Sequence, residues 1–538
     1  MNKIFVNGNI VTMDPNQPKV EAIYIENDII KNIGSNKEIL NSKDNSTEII
    51  DLEGKTMLPG FNDSHMHLID HGLSLNKCSL VNIYSIEELI NKIISFTKDN
   101  CSDWILAEGF NQDKFKDKKL PNRYDLDKIS TDKPIFITRT CLHLGVANSK
   151  ALKLAGILDH IPEIKGGEID LDNNGNPTGI LKENAMKLIT EKIPTPSKSE
   201  IKNLIIKSAN ILLSKGITSI QTDDLNSVNG LDYKDIIKIY KELINENKLP
   251  IKIYEQCRMN TIDHLNDFIN NNYNNYNGNE FFKLGPIKLF TDGSLGSRTA
   301  NLREPYHDDN STKGISTCNQ NELDKFVMKS HNIGLSVAIH AIGDKAMDKV
   351  FNSIKKAYAR NPRRDVRHGI VHAQITDEKL INEFKLYNVI AYVQPIFLNY
   401  DVHIVDDRIG KNRAKTSYAY KTMIDNNIKI SFGSDAPVET FDVMKGIYSA
   451  VTRCDLQGNP KGGWLSKEKI SIEESIYNYT MAGSYSSFEE NIKGSISKNK
   501  KADLVVLEEN IFEIDKDKIK DIKISMTFVN GILKYKNN

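Results

Sequence analysis

Residues 335–372 read LSVAIHAIGDKAMDKVFNSIKKAYARNPRRDVRHGIVH. A short apolar run, LSVAIH (335–340), ends on His340, a longer helical pattern follows, and a second apolar run, GIVH (369–372), ends on His372. That is how a parallel strand, crossover helix and strand read. The same punctuation extends outward, with MLPGF (57–61), ITSIQ (217–221), IKIYEQC (251–257) and PIKLF (286–290) before it and VIAYVQ (389–394) and IKISFG (428–433) after it. Eight such runs alternating with helices predict an α/β chain whose residues 58–491 close into a (β/α)8 TIM-like barrel. The gap between the first two runs is too long for one helix and holds strand-like runs of its own, WILAEG (104–109) and PIFITRT (134–140). It predicts an insertion at about 70–200, rooted on the catalytic side of the barrel as a lid or substrate-binding wall.

The two chain ends resemble each other. IFVNGNIV (4–11) and TFVNGILK (527–534) each place an Asn-Gly turn signal between short apolar strands. The simplest arrangement pairs residues 1–57 and 492–538 into one small composite β-sandwich domain; two unrelated terminal hairpins are the alternative.

Composition narrows the partners. The chain has 538 residues, and 71 Lys and Arg balance 71 Asp and Glu, so there is no basic field to hold a nucleic acid. The start MNKIFVNGNIVT has no signal-peptide apolar region, and no window approaches the roughly 20 apolar residues of a membrane span. The expectation is a soluble, cytoplasmic protein without a membrane partner. Cys78, Cys101, Cys141, Cys257, Cys318 and Cys454 are scattered without a C-x-x-C pair, as buried reduced thiols would be.

His65-Met66-His67 follows the first run, and residues two apart on an extended segment face the same side. Chance alone gives roughly 0.27 such triplets in a chain with this many histidines, so the motif by itself is weak. Position strengthens it. His340 and His372 end their runs and Asp435 follows IKISFG, so five candidate ligands stand at the ends of four strands that a barrel would bring to one mouth. Four imidazoles and a carboxylate suit Zn²⁺ or a similar divalent ion. Lys288, inside PIKLF, has three competing readings: it points outward, it pairs with a carboxylate, or it carries a carbamate that bridges two metals.

PGFNDSHMH (59–67), KLFTDGSLGSRTA (288–300), HAIGDKA (340–346), VHAQ (371–374), FGSDAPVE (432–439) and YTMAGSYSSFEENIKGSISKNKKADLVVL (479–507) resemble the metal-dependent amidohydrolase superfamily. Within it they are similar to the branch containing the N-substituted formamide deformylases. The resemblance implies one or two metal ions held by His65, His67, His340, His372 and Asp435, with Lys288 aligned with a lysine that can be carboxylated, and it leads to the expectation of a homodimer. Two departures stand out: Val371 precedes His372 where a Glu is common, and CLHL (141–144) replaces a more usual Cys-Gly-His.

The expected reaction is hydrolysis of a C–N bond in a small amide, formamide or cyclic amide by a metal-activated water, with Asp435 as proton shuttle. His340 or His143 would hold the carbonyl oxygen. Arg298 has two readings of equal weight, a contact to a polar or anionic substrate group and a surface salt bridge. The rivals are a deaminase of an amino-heterocycle and a non-catalytic regulatory or binding protein on the same scaffold.

Overall fold

The computed structural model describes residues 2–99, 103–275 and 278–537; Cys101 lies outside them. Eight parallel strands form one sheet: β1 (Phe61–Met66), β2 (Ile217–Thr222), β3 (Lys252–Arg258), β4 (Phe282–Phe290), β5 (Val337–Ala341), β6 (Gly369–His372), β7 (Ile390–Val393) and β8 (Ile430–Phe432). The two edges nearly close, since Asp435 N–H donates to His65 O at 2.8 Å and His67 N–H to Ala436 O at 2.8 Å. Asp63 reinforces this seam by accepting the N–H groups of Ser434 and His65. Gly433 is needed there, because a Cβ would lie 2.5 Å from His65 N.

The intervening helices follow from caps and periodicity. Ser197 and Glu200 form a capping box on Lys198–Leu213, Asn319 and Glu322 another on Gln320–Asn332, and Asp377 caps Glu378–Leu386. In Asp344–Arg360 the buried residues Met347, Val350, Phe351, Ile354 and Ala357 recur every three or four positions, giving one apolar face to set against the barrel. Below the barrel, Met481–Ser486 plugs the N-terminal end: Gln221 Nε2 donates to Gly483 O at 3.0 Å and Ser486 Oγ at 2.6 Å. No helix among the described residues is long and apolar enough to cross a membrane.

Seven of the eight strands fall on the quoted runs, and the first does not. Thr56–Pro59 belongs to a terminal sheet, pairing with Leu504–Leu507 and Asn9–Val11, and the chain crosses into the barrel at Gly60. The true β1, FNDSHM, is buried throughout but polar: Asn62 Nδ2 donates to Ser219 Oγ at 2.8 Å, and Asp63 is hydrogen-bonded within the seam. Hydropathy does not reveal a strand whose buried polar side chains bond to neighbouring strands and to backbone N–H groups.

The chain ends meet in a six-stranded sheet ordered Ile532–Lys536, Ile524–Val529, Leu504–Leu507, Thr56–Pro59, Asn9–Val11 and Lys19–Val20. A four-stranded sheet of N-terminal strands shares its core, with Phe5 edge-on to Phe528 at 5.1 Å among Ile23, Ile25, Met57, Leu504 and Val506. The two Asn-Gly signals act differently. Asn530 (φ 52) and Gly531 (φ 70) turn a hairpin, whereas only Asn7 (φ 55) is left-handed at the first, and the chain there passes from one sheet to the other.

The insertion is a six-stranded sheet of its own, in which the runs at 104–109 and 134–140 become neighbouring parallel strands, Ile105 opposite Ile135. Trp104 and Phe110 are buried in its two cores. Among the described residues Cys78, Cys141, Cys257, Cys318 and Cys454 are free thiols, all but Cys318 buried. Phe528→Ala removes the ring that joins the two terminal sheets, and the expected cost is about 3–5 kcal/mol, read as an earlier first transition in urea unfolding.

Candidate metal centre

The C-terminal ends of β1, β6 and β8 converge. One donor atom each from His65, His372 and Asp435 lies within 4.8 Å of the others, all three residues being buried. Two glutamines aim the imidazoles. His65 Nδ1–H donates to Gln256 Oε1 at 2.8 Å, and His372 Nδ1–H donates to Gln394 Oε1 at 2.8 Å. The amide groups are themselves fixed, because Gln256 Nε2 donates to Ser64 O and Gln394 Nε2 to Tyr392 O. With each Nδ1 committed, each Nε2 lone pair is left to face a cation.

Two of these candidate ligand positions have a left-handed backbone, His372 at φ 77 and Asp435 at φ 60. Such conformations are disfavoured for residues with a Cβ and concentrate at functional sites. Burial pushes the His372 imidazole down to about 3 and lowers that of His65, which favours the unprotonated rings that can coordinate a cation. Burial works against charge on Asp435, but His372, His65 and His67 hold its carboxyl well below the usual range.

His67 Nε2 donates to Asp435 Oδ1 at 3.0 Å. Its Nδ1 lies against Asp223 Oδ1, close enough for an ion pair, yet both atoms are buried without a properly directed hydrogen bond. Donor atoms crowded together and unsatisfied by the protein fit a site for a divalent cation. Burial would lower His67, but Asp223 and Asp435 outweigh it and raise its pKa to about 10. Lys288 Nζ donates to Asp223 Oδ2 at 3.0 Å and lies 3.5 Å from His65 Nε2, with both the Lys288 and Asp223 side chains fully buried. Of the three readings for Lys288, the geometry here is the carboxylate pair. Burial nevertheless lowers the amine.

His340 lies beside the triangle rather than in it. Its ring centroid is 4.5 Å from that of His372, but its Nε2 donates to Gly293 O at 3.2 Å and lies 3.4 Å from Asp292 Oδ1. His143 comes from the insertion and sits 5.2 Å from His340, ring to ring. The unusual CLHL reaches this position with Leu142 at φ 58, the conformation a glycine adopts freely. Arg298 is not brought to the cluster. It pairs with Asp308, NH2 to Oδ2 at 2.8 Å, and lines an outer cleft of about 1750 Å³ instead of the two cavities that touch the ligands. A second bond, Nε to Asp308 Oδ1 at 3.2 Å, makes the pair bidentate and holds the guanidinium at the outer wall. His71 bonds Ser208 and His368 bonds His331.

Asp223, Gln256, Gln394 and Glu183 were not singled out from the sequence. The signal for the glutamines was partly present: Gln394 ends the otherwise apolar run VIAYVQ, whereas Gln256 shares IKIYEQC with Lys252 and Glu255. A cleft of about 840 Å³ opens onto His65, His67, Lys288, His372 and Asp435, and a narrower pocket lined by Arg139, Phe397, Tyr400 and Glu439 meets it at His340 and His372.

A parallel barrel with an imidazole and carboxylate cluster at its C-terminal mouth defines a barrel with an enzyme-type metal site. The model of the amidohydrolase family matches residues 48–534, and the chain belongs to that family. It is 34% identical to the putative amidohydrolase YtcJ of Bacillus subtilis (strain 168), over 100% of each chain. It is 23% identical to the N-substituted formamide deformylase of Arthrobacter pascens, over 99% of this chain and 98% of that one. The crystal structure of an uncharacterized metal-dependent hydrolase from Pyrococcus horikoshii superposes with a TM-score of 0.76 at 29% identity, covering 96% of this chain and 99% of that one. Family membership and this neighbour support hydrolase activity and a divalent metal.

A cation that uses His67 competes with a proton that Asp223 and Asp435 favour on that imidazole, so its affinity is expected to rise with pH above neutrality. Calorimetric zinc titration at pH 7.5 in buffers of different ionisation enthalpy should show about one proton released per ion in the wild type, with His67→Ala binding zinc more weakly and releasing less; unchanged affinity in His67→Ala would exclude His67 as a ligand. Gln394→Leu frees the His372 ring and should weaken zinc binding roughly 10- to 100-fold in a chelator competition.

Proposed function

We propose that this chain hydrolyses the C–N bond of a small amide, formamide or cyclic amide, with zinc as the metal and Asp435 as the proton carrier. The observation that carries this reading is the triangle of His65, His372 and Asp435 donors at the barrel mouth, each imidazole held by a glutamine. The imidazole and carboxylate set suits Zn²⁺, and His65, His67, His372 and Asp435 would hold it, with Lys288 and Asp223 beside them. When bound, a divalent ion supplies an acidified water and polarises a carbonyl group.

The chain's own residues then have separate tasks. Asp435, kept ionised by the surrounding imidazoles, takes the proton of the attacking water at a carboxylate oxygen and passes it to the leaving nitrogen. His143 and His340 stand on the side of the cleft where the carbonyl oxygen would lie, and Phe397, stacked on His372, helps exclude water. Lys288, whose amine burial drives toward the neutral form, is the group that would add CO₂ to give a carbamate with release of a proton.

Asp435→Asn removes the charged donor of the triangle and is expected to weaken zinc binding, so it is assayed at saturating zinc, where kcat should still fall by about 10²- to 10⁴-fold. The assay scores carboxylate against ammonia release on a panel of amides, formamides, cyclic amides and amino-heterocycles. Ammonia from the heterocycles alone would make the protein a deaminase, and undiminished turnover in Asp435→Asn would remove the proton-carrier role. Chelation should abolish turnover and zinc should restore it. Full activity after exhaustive chelation would overturn the reading.

A further inference from the structure

The insertion does more than wall the cleft. Its strand Leu144–Ala147 begins directly after His143, and its strand Pro177–Glu183 ends on Glu183. The two strands run antiparallel with Leu144 opposite Lys182, so His143 and Glu183 arrive side by side. His143 Nδ1–H donates to Glu183 Oε2 at 2.8 Å, and the glutamate side chain is 6% exposed.

Three features of Glu183 are unfavourable taken singly. Its backbone stands at φ 50, ψ −126, a conformation that residues with a Cβ rarely adopt. Its Oε1 is buried without a hydrogen-bond partner among the described residues. It also occupies the space in which a side chain at Gly293 would grow, since a Cβ there would lie 2.0 Å from Oε1. Gly293 in turn receives the N–H of His340 on its carbonyl oxygen, so one glycine seats both His340 and Glu183.

An imidazole anchored through Nδ1–H presents Nε2 on its opposite side. His143 lines both cavities that meet at His340, His372 and Asp435. We propose that Glu183 is a positioning residue that turns His143 Nε2 toward the scissile amide, which makes the insertion part of the reacting site. The proposal rests on the amide-hydrolase reading for its substrate, and on geometry alone for the hold of Glu183 on His143.

Two measurements test these parts separately. In protein carrying ¹⁵N-labelled histidine rings, the His143 signals are those absent from His143→Asn. They should show a protonated Nδ1 in the wild type and shift toward the other tautomer in Glu183→Leu, whereas Glu183→Gln, whose amide oxygen can still accept, should keep the wild-type pattern; an unchanged pattern in Glu183→Leu overturns the proposal. In the zinc-loaded enzyme acting on 4-nitroformanilide and related anilides, Glu183→Leu should lower kcat roughly 10- to 100-fold with KM changed by less than about threefold. The double variant should be no slower than His143→Asn alone. Losses that multiply would place the effect of Glu183 outside His143 and overturn the proposal. If the wild type turns over no anilide, the amide reading fails on that panel, and the ring-nitrogen spectra still decide whether Glu183 orients His143.

Discussion

Two amide oxygens determine what the barrel mouth can bind. Gln256 Oε1 and Gln394 Oε1 take the Nδ1–H of His65 and His372, and without them either ring could rotate its lone pair away from Asp435. A single buried hydrogen bond of this kind contributes about 1 kcal/mol net, whereas leaving one partner unsatisfied costs about 1–3 kcal/mol. That asymmetry makes the alternative tautomer the costly one. The barrel supplies the rest, because strands that end at one rim bring residues 65, 372 and 435 into one cluster.

The seam between β8 and β1 is built from polar groups. Asp63 is buried, which pushes its carboxyl up to about 7, and its hydrogen bonds run along the joint that positions both His65 and Asp435. The left-handed backbone at His372 and Asp435 lies at the same rim. Buried polar groups line this rim, while the outer helices pack on an ordinary apolar layer.

Much of this was legible from residues alone. Seven strands were apolar runs whose ends fixed His340, His372 and Asp435, and the long gap before ITSIQ marked the insertion. The first strand was not legible as a strand, because FNDSHM buries polar side chains, two of them bonded to the adjoining β2 and to the seam, where an apolar run would be expected. Gln256 and Gln394 were visible as polar interruptions, but only the three-dimensional register shows what they face. Arg298 followed a Gly-rich loop near the mouth in sequence, and Asp308, ten positions on, draws it outward. The paired Asn-Gly motifs looked equivalent and are not, since their backbone angles send one chain end around a hairpin and the other between two sheets.

The composite sheet carries a consequence for how the polypeptide is made. Lys55 bonds Ser525 across 470 positions, and the strand at 504–507 fills the place beside Thr56–Pro59. At ribosomal speeds of about 5–20 residues per second, the N-terminal strands wait on the order of half a minute or longer for their partners. During that interval the edge of Thr56–Pro59 is open to pairing with another nascent chain. Early release or a premature stop would leave this edge permanently uncovered, so quality control of the newborn protein is tied to its last three strands, far from any chemistry at the barrel mouth.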